Sequence, residues 1–323
     1  MKHEYDRDLD EFARSHGLQL LSVFGSEGGN SRMVQIEFKG EEYLLKRYLG
    51  DEMRAKRSCL RERYALKALQ NNGVGNVPRI NEKLQTETIN CIQLLRGTEP
   101  KPIQSAMDSI IQFQYRLIEV RDAMYLSKEN PPLAIDAAFT EEEILVQIDE
   151  RLRIGQTKNN KFWKIIDNSL TELKNWIFSE GENTIYRNCR VLSQSDIGCH
   201  NMIEVQKNEY FFVDFEFFGI DSPQKLIVDF LLHPKNKFET NLNARFVRDL
   251  SQAFCLEPEN LNKWVKVLSL KWATIMLRRL EILGSSDSES FNLAQIQQLF
   301  EQYMVLAAPE SRVTLDELMM RNT

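Results

Sequence analysis

Apolar positions in the first hundred residues recur mainly with the period of β-strands. Residues 18–25, 32–38 and 43–49 are rich in strand-forming residues and are separated by the polar runs SEGGNS and KGE, which predicts three antiparallel strands. Residues 52–73 instead repeat apolar positions every three to four residues and predict one helix. A strand, a turn and another strand follow NVPRI (residues 76–80), end in the segment CIQLLRGTEP, and complete a predicted five-stranded sheet.

Helical spacing dominates from Ile103 onward. Apolar residues recur every three to four positions up to Leu126, and again over residues 161–178. Between these segments, Thr140 and Glu143 have the spacing of a capping box and predict the start of another helix. A sheet that is followed by a run of helices predicts an α+β fold.

Gly97, Thr98 and Pro100 interrupt the periodicity between these two parts. A chain of 323 residues is long enough for two lobes with separate cores. We therefore expect an N-terminal lobe over residues 1–97 and a helical C-terminal lobe over residues 98–323.

Composition and charge argue against several classes of protein. The net charge of −6 and the pI near 5.5 argue against nucleic-acid binding. The polar start MKHEYDRDLDEF is unlike a signal peptide, and no apolar run approaches the ~18 residues of a membrane span. The five cysteines are scattered without a C-x-x-C pair, so neither a disulfide framework nor a zinc site is expected. These features predict a cytoplasmic protein without a nucleic-acid or membrane partner, and they leave the oligomeric state open.

The segment LSQSDIGCHNMIEVQKNEYFFVDFEFF, residues 192–218, predicts a hairpin with three oxygen-bearing side chains at its mouth. Asp196 lies on the loop before it, Asn201 at the start of its first strand, and Asp214 at the end of a second strand over residues 210–215. Phosphoryl transfer requires such a set, because a metal must bridge phosphate oxygens while a carboxylate orients the attacking hydroxyl. Asp196 is therefore the candidate base, and Asn201 and Asp214 are the candidate magnesium ligands.

The alternative is a structural hairpin whose aspartates cap its turns. Asp214 argues against that alternative, because it lies within the apolar run FFVDFEFF, where a charge requires a partner or an ion. Glu216, on the same face of the predicted strand, is a weaker candidate for contact with the metal or the acceptor.

Two charged residues of the N-terminal part fall on apolar faces. Lys46 alternates with Leu44 and Tyr48 on one face of its strand, and a lysine there requires an anion such as a nucleotide phosphate. Glu62 lies on the apolar stripe of the following helix, so we expect it to pair with Lys46. A surface lysine on an edge strand and an exposed helix charge are the alternatives.

The loop between the first two predicted strands contains Gly28, Gly29 and Ser31, and its backbone is a candidate phosphate contact. It lacks the G-x-G-x-x-G pattern, so taken alone it favours a hairpin turn rich in Gly and Asn. The lysine and glutamate that follow it favour the phosphate contact.

Together these residues resemble the aminoglycoside phosphotransferase and choline kinase superfamily, whose motifs are H-x-D-x-x-x-x-N followed by I-D-[WFY]-[DE]. Asp196 and Asn201 have the spacing of the first motif, and VDFE at residues 213–216 fits the second. Gln194 replaces the motif histidine, whose role in the family is mainly to brace the loop, and a glutamine amide also donates and accepts hydrogen bonds. His200 lies on the wrong side of Asp196 to replace that histidine and is expected to pack or to cap.

The resemblance implies a bilobal, protein-kinase-like fold with a small antiparallel-sheet N-lobe, and ATP bound with Mg²⁺ between the lobes. It implies that Lys46 binds the α- and β-phosphates, that Glu62 positions Lys46, and that backbone groups from Leu94 to Arg96 hold the adenine. The order of these parts along the chain carries the resemblance, since no single motif does.

The acceptor is predicted to be a small-molecule hydroxyl. Only eight residues separate Asp214 from the helix start at Pro223, which leaves no room for the activation segment with which protein kinases dock a polypeptide. Asp221 and Asp229 match a trailing element of the family and are expected to cap this helix and brace the catalytic loop. The alternative from another class is a pseudokinase that binds nucleotide without turnover, supported only by Gln194 and the unusual Gly-rich loop.

Overall fold

The computed structural model describes residues 4–24, 31–155, 161–179, 190–283, 290–311 and 314–320. Four strands of its N-terminal part form one antiparallel sheet in the order β1-β2-β3-β4. The elements of this part are α1 (Glu4–Ser15), β1 (Gln19–Phe24), β2 (Ser31–Phe38), β3 (Glu41–Tyr48), α2 (Glu52–Asn71) and β4 (Ile89–Gln93).

The predicted fifth strand, before β4, is wrong. Residues 78–88 are mainly irregular. Ile80 makes an isolated bridge to Ile92, flanked by 2.8 Å backbone hydrogen bonds from Gln93 N to the Arg79 carbonyl and from Asn81 N to the Cys91 carbonyl. The side chains of Asn81 and Thr86 accept hydrogen bonds from backbone N–H groups two or three residues further on. Such local hydrogen bonds compete with the ladder of a sheet, so pairing with β4 does not extend beyond Asn81.

The sheet has an apolar face and a face that carries charge. Leu9 and Phe12 of α1 pack in a small core with Leu45 of β3. Lys46 and Tyr48 point to the other face, as the alternation of the strand predicts, and both are buried. The inner residues of α2 join the large core of the C-terminal part, so α2 ties the sheet to the helices.

The C-terminal part is mostly helical, as predicted. Thr140 Oγ1 accepts a hydrogen bond from Glu143 N at 3.2 Å, and the Glu143 carboxylate accepts one from Phe139 N at 2.5 Å, which confirms the predicted cap. The helices are α3 (Gln104–Leu126), α4 (Glu141–Gly155), α5 (Lys161–Ser179), α6 (Pro223–Leu232), α7 (Thr240–Ala253), α8 (Leu261–Leu283), α9 (Ser290–Ala307) and α10 (Leu315–Met320). Within the described ranges, none of them is long and apolar enough to cross a membrane.

Four short strands lie between α5 and α6, namely β5 (Val191–Ser193), β6 (Met202–Gln206), β7 (Glu209–Phe212) and β8 (Gly219–Asp221). β6 and β7 form the predicted hairpin. β5 pairs with β8 in an antiparallel ribbon that the sequence does not predict. This second pair joins the two flanks of the hairpin, so it brings the loop of Asp196 beside the segment of Asp214.

The backbone turns at both aspartates. β7 ends at Phe212, so the prediction of a strand reaching residue 215 is wrong. Asp214 has a φ of 66°, in the left-handed region, and Ser195, directly before Asp196, has a φ of 71°. Aspartate tolerates this conformation better than most residues. Left-handed backbone at two positions of one site, Ser195 and Asp214, is typical of functional loops.

The connection from β4 to α3 crosses the hairpin at close range. Thr98 pairs with Glu204 of β6 through backbone hydrogen bonds of 3.2 and 2.8 Å. A Cβ atom at Gly97 would lie 2.3 Å from the carbonyl oxygen of Glu204, so this crossing requires a glycine. Gly97, where the periodicity breaks, is therefore a point of close contact between the two parts of the chain. The division of the lobes at residue 97 stays a prediction.

Ser222, not Asp221, caps α6, because Ser222 Oγ accepts a hydrogen bond from Lys225 N at 3.1 Å. Asp221 instead accepts hydrogen bonds from the backbone N–H groups of Ala138 and Ser222, at 3.1 and 2.9 Å. The prediction that Asp221 caps the helix is therefore corrected. Asp221 also holds Lys225 Nζ at 2.7 Å, and Asp229 holds the same ammonium at 3.2 Å.

Candidate active site

Lys46 lies between two carboxylates from distant parts of the chain. Its Nζ is 2.8 Å from Glu62 Oε2 and 2.7 Å from Asp214 Oδ1. Burial by itself lowers the pKa of Lys46, but the charges of Asp214, Glu62 and Glu216 outweigh burial and raise it above its ordinary value. The predicted pairing of Lys46 with Glu62 is thus present, and the ammonium also reaches the hairpin segment.

Glu62 is held in place by groups from both parts of the chain. Its carboxylate accepts a hydrogen bond from Phe215 N at 3.0 Å and a short one from the Tyr48 hydroxyl. Asn90 of β4 in turn donates to the Tyr48 oxygen at 2.9 Å. Glu62 therefore fixes both Lys46 and the backbone directly after Asp214, which is more than the sequence predicts for it.

Gln194 occupies the place of the motif histidine and braces the same segment. Its Nε2 donates to the carbonyl oxygen of Val213 at 2.5 Å and lies 3.3 Å from that of Asp214. Ser195 Oγ adds a hydrogen bond to the Phe217 carbonyl at 3.2 Å. The loop before Asp196 is thus tied directly to the turn that carries Asp214.

Asn201 links the two aspartates through its backbone and side chain. Its Nδ2 donates to the backbone oxygen of Asp196 at 2.7 Å, and its own carbonyl accepts from Val213 N at 2.9 Å. Because the amide nitrogen is used in this way, Oδ1 is the atom that Asn201 offers to a ligand. An amide oxygen and the Asp214 carboxylate are oxygen ligands of the type that Mg²⁺ prefers, so these two residues fit the predicted ion.

Asp196 contacts two histidines, and this is the feature of the site that the sequence does not predict. His200 Nε2 and His233 Nε2 lie 3.0 and 3.4 Å from Asp196 Oδ1. Burial by itself raises the pKa of Asp196, but the hydrogen bond from His200, together with His233 and Asn201, lowers it to about 2. The prediction that His200 packs or caps therefore leaves out its contact with the Asp196 carboxylate. His233 follows α6, far along the chain, and no sequence pattern singles it out.

The remaining predicted nucleotide contacts lie beside β2 and β4 or outside the described residues. Ser31 begins β2, whereas Gly28 and Gly29 fall in the range 25–30, which the structure does not describe. Leu94 and Arg96 directly follow β4. Leu94 N donates to the Glu42 carbonyl at 3.3 Å, and Arg96 forms an exposed ion pair with the Glu42 carboxylate at 2.6 Å. Their part in adenine binding stays a prediction.

No protein-family profile and no curated protein matches the sequence. Solved structures do match, over nearly the whole chain. Choline kinase LicA from Streptococcus pneumoniae is 14% identical, with a TM-score of 0.61 over 93% of this chain and 99% of that one. The ternary complex of APH(2'')-IIa with streptomycin and ATP is 13% identical, with a TM-score of 0.58 over 95% of this chain and 100% of that one.

A third match is a thermostable mutant of aminoglycoside phosphotransferase APH(4)-Ia in a ternary complex with ADP and hygromycin B. It is 13% identical, with a TM-score of 0.56 over 93% of this chain and 98% of that one. The chain therefore has the bilobal, kinase-like fold of aminoglycoside phosphotransferases and choline kinase. The predicted fold, a small antiparallel sheet followed by a mostly helical lobe, is confirmed.

Proposed function

We propose that the protein transfers the γ-phosphoryl group of ATP to a hydroxyl of a small molecule in the cytoplasm. One observation supports this most strongly: a buried lysine joins Glu62 of α2 to Asp214 after the hairpin, at 2.8 and 2.7 Å. An ion pair that spans the two parts of a kinase-like fold and ends on a candidate metal ligand is the arrangement that phosphoryl transfer requires.

The proposed reaction assigns a role to each residue of the site. The acceptor oxygen forms a bond to the γ-phosphorus while the bond from that phosphorus to the bridging oxygen of ADP breaks. Lys46 neutralises phosphate charge, and Glu62 positions it. When bound, Mg²⁺ would neutralise the charge on the phosphates, and Asn201 and Asp214 would hold it. Asp196 accepts a hydrogen bond from the acceptor hydroxyl and later takes its proton.

The low pKa of Asp196, about 2, limits what this residue does. A carboxylate of that pKa is ionised at neutral pH and is a weak base. It therefore orients the hydroxyl throughout the reaction, and proton transfer comes late, when bond formation has made the hydroxyl acidic. Such a role agrees with the dissociative character of phosphoryl transfer.

We propose an acceptor of the size of the molecules that the matched proteins bind or act on. Two of those structures contain streptomycin and hygromycin B, and the third is a choline kinase. Only eight residues lie between Asp214 and Pro223, and three of them form β8. This short connection favours a compact acceptor and leaves no segment for docking a polypeptide.

The proposal is tested by incubating the protein with ATP, Mg²⁺ and a library of aminoglycosides, amino alcohols and sugars, with mass spectrometry to detect a mass gain of one phosphoryl group. Asp196→Asn should keep its nucleotide affinity and lose turnover by roughly two to four orders of magnitude, the range for a lost positioned base. Equal turnover in this variant would remove Asp196 from its role.

A pseudokinase that binds nucleotide without turnover is the second candidate, and Gln194 is the observation that favours it. The hydrogen bonds from Gln194 to the backbone at residues 213 and 214 weaken that candidate, because the glutamine braces the segment as a histidine would. Tight binding of Mg-ATP, with no product from any acceptor in the library, would favour the pseudokinase.

A further inference from the structure

The two histidines at Asp196 converge on one carboxylate oxygen. His200 Nε2 and His233 Nε2 both make their closest contact with Oδ1, at 3.0 and 3.4 Å. The two imidazole rings stack with their centroids 4.2 Å apart and their planes within 5°. Stacked rings that approach the same atom side by side define a clamp on Oδ1, formed by His200 and His233.

Hydrogen bonds assign the proton of His233 to the nitrogen that faces Asp196. His233 Nδ1 accepts a hydrogen bond from Lys235 N at 3.3 Å, so the neutral ring carries its proton on Nε2. Burial lowers the pKa of His233 to about 4, which keeps the ring neutral at pH 7. His233 therefore donates its Nε2–H to Asp196 in the neutral form.

The same proton position argues against a metal ion at this cluster. The ligand atoms of Asp196, His200 and His233 lie within 4.8 Å of one another, which is close enough for a shared ion. A shared ion would need a bare Nε2 on His233 and hence a proton on Nδ1. Nδ1 instead faces the backbone N–H of Lys235, and two donors cannot form that hydrogen bond.

Packing on the far side of His233 fixes its orientation. The ring of Trp272 in α8 meets it edge-on, with centroids 5.2 Å apart and an interplanar angle of 83°. Trp272 Nε1 donates to Asp229 Oδ1 at 3.0 Å, and Asp229 is in turn held by Lys225 at 3.2 Å. The buried ion pairs at α6 therefore reach the catalytic loop through Trp272 and His233.

The loop itself is tied to the turn that follows α6. Asn236 Nδ2 donates to the Ile197 carbonyl at 2.9 Å and to the Phe230 carbonyl at 3.1 Å. A Cβ atom at Gly198 would lie 1.9 Å from Asn236 Oδ1, so the close contact requires a glycine. The loop that carries Asp196 and His200 is thus tied to the turn that carries His233, independently of the two imidazole rings.

We propose that His200 and His233 are positioning residues that hold Oδ1 of Asp196 and leave Oδ2 to bind the acceptor hydroxyl. This inference rests on the proposed function. During transfer, the bond from the acceptor oxygen to the γ-phosphorus forms, the bond from that phosphorus to ADP breaks, and the hydroxyl proton passes to Oδ2. A clamp on one oxygen holds the carboxylate in the one rotamer that faces the acceptor. The clamp therefore raises the rate of transfer and does not contribute to nucleotide binding.

The kinetic test separates kcat from KM. His233→Phe keeps a ring against Trp272 but removes the donor, whereas His233→Gln restores an amide donor of similar reach. We expect His233→Phe to lower kcat roughly 10- to 100-fold, the loss for one hydrogen bond to a charged group, with KM for ATP unchanged. His233→Gln should recover most of that loss. His16→Gln, at an exposed position directly after α1, is the matched control and should leave kcat unchanged.

Full kcat in His233→Phe would overturn the proposal. Loss of kcat together with a raised KM for ATP, and without recovery in His233→Gln, would also overturn it, because that pattern indicates a general structural role.

A spectroscopic test does not depend on activity. The chain has only four histidines, so long-range ¹H–¹⁵N spectra of the imidazole rings can be assigned by single substitutions. We expect both His200 and His233 as Nε2–H tautomers whose signals shift in Asp196→Asn. An inactive wild type that shows these signals would refute the proposed function and support the clamp. An Nδ1–H tautomer at His233 would refute the clamp, whatever the activity.

Discussion

Two buried lysines of this protein each lie between two carboxylates, yet their surroundings differ. Lys46 pairs with Glu62 and Asp214 at 2.8 and 2.7 Å, and Lys225 pairs with Asp221 and Asp229 at 2.7 and 3.2 Å. The Asp214 side chain is 40% exposed, whereas those of Asp221 and Asp229 are 1% and 16% exposed. The first site opens to solvent on one side, and the second is closed.

This difference shows which charge cluster is able to bind a ligand. At Lys46, an exposed carboxylate is able to exchange part of its ion pair for a metal, and the lysine for a phosphate. At Lys225, the buried Asp221 carboxylate accepts hydrogen bonds from two backbone N–H groups and the ammonium, so it is not accessible to a ligand. We therefore propose separate roles for these chemically similar clusters, one in the proposed chemistry and one in supporting the loop of Asp196.

Removal of the two ammonium groups tests this comparison most strongly. Lys225→Met should lower the free energy of unfolding by about 3–5 kcal/mol, because it leaves two enclosed carboxylates without their cation. Lys46→Met should cost less, about 1–3 kcal/mol, because water reaches Asp214 and Glu62 keeps its donors from Phe215 and Tyr48. Urea unfolding of both variants measures the difference. A larger loss in Lys46→Met would reverse the assignment of roles.

Nucleotide binding distinguishes the open site from the closed one. ATP with Mg²⁺ at about 100 times its Kd should stabilise the wild type by ~2.7 kcal/mol, since it binds only the folded state. Asp214→Asn should remove most of this stabilisation, and the matched control Asp229→Asn should keep it. Thermal unfolding with and without Mg-ATP gives the result. Equal stabilisation by ATP alone in all three proteins would show that Asp214 does not hold the metal.

A third buried lysine near the closed site makes the stability depend on pH. Burial, with the charge of Lys225 next in size, lowers the pKa of Lys271 to about 8, although Asp136 and Asp229 oppose the shift. Between pH 8 and the ordinary lysine pKa, this side chain binds more protons in the unfolded chain than in the folded one, so its own contribution to stability should rise with pH. Burial raises the pKa of the Cys59, Cys91 and Cys199 thiols to about 12, so their contribution falls over the same range. From pH 8 to 9.5 we expect Lys271 to contribute a gain of about 2 kcal/mol, measured as the difference between the wild type and Lys271→Met.

Lys271→Met, compared with the wild type by urea unfolding across pH 8 to 9.5, isolates this contribution. Gln147, at 2.6 Å, and Asp136, at 3.7 Å, contact the ammonium directly. Arg151 adds a charge that lowers the pKa of Lys271 further. If both proteins show the same slope against pH, Lys271 does not cause it.

Gln194 is expected to give the smallest effect. Gln194→Ala removes the donor to the Val213 carbonyl and should cost about 1 kcal/mol of stability, with a moderate loss of turnover. The cost is low because Gln194 Oε1 has no partner within the described residues, and the variant removes that atom as well. Gln194→His should be nearly neutral, since a ring N–H also reaches a carbonyl. Wild-type rate and stability in Gln194→Ala would refute the bracing role.

The order of the parts along the chain was enough to predict the fold and to select most residues of the candidate site. Lys46 and Glu62 follow from apolar patterns of a strand and a helix, because a charge on such a face must find a partner. Asp196 and Asn201 follow from a spacing of five residues, and Asp214 from its place in an apolar run. Each of these signals lies within a short segment of the chain, so it can be recognised in a single sequence.

Other features depend on contacts that no local pattern records. The pairing of β5 with β8 involves only three residues in each strand, too few to show a period. The strand predicted before β4 is reduced to a single bridge, because the side chain of Thr86 binds the backbone that would continue it. His233 reaches Asp196 only because α6 ends beside the loop of Asp196. The residues next to His233 along the chain do not predict that contact.

The sequence by itself determined which charged residues on apolar surroundings must find a partner, namely Lys46, Glu62 and Asp214. Only the tertiary structure decided which partners they have. Lys46 meets Asp214 across 168 positions of the chain, whereas Lys225 finds both of its carboxylates within four. The physical reason is that burial is a property of each residue and its pattern, but an ion pair between distant segments depends on how whole elements pack.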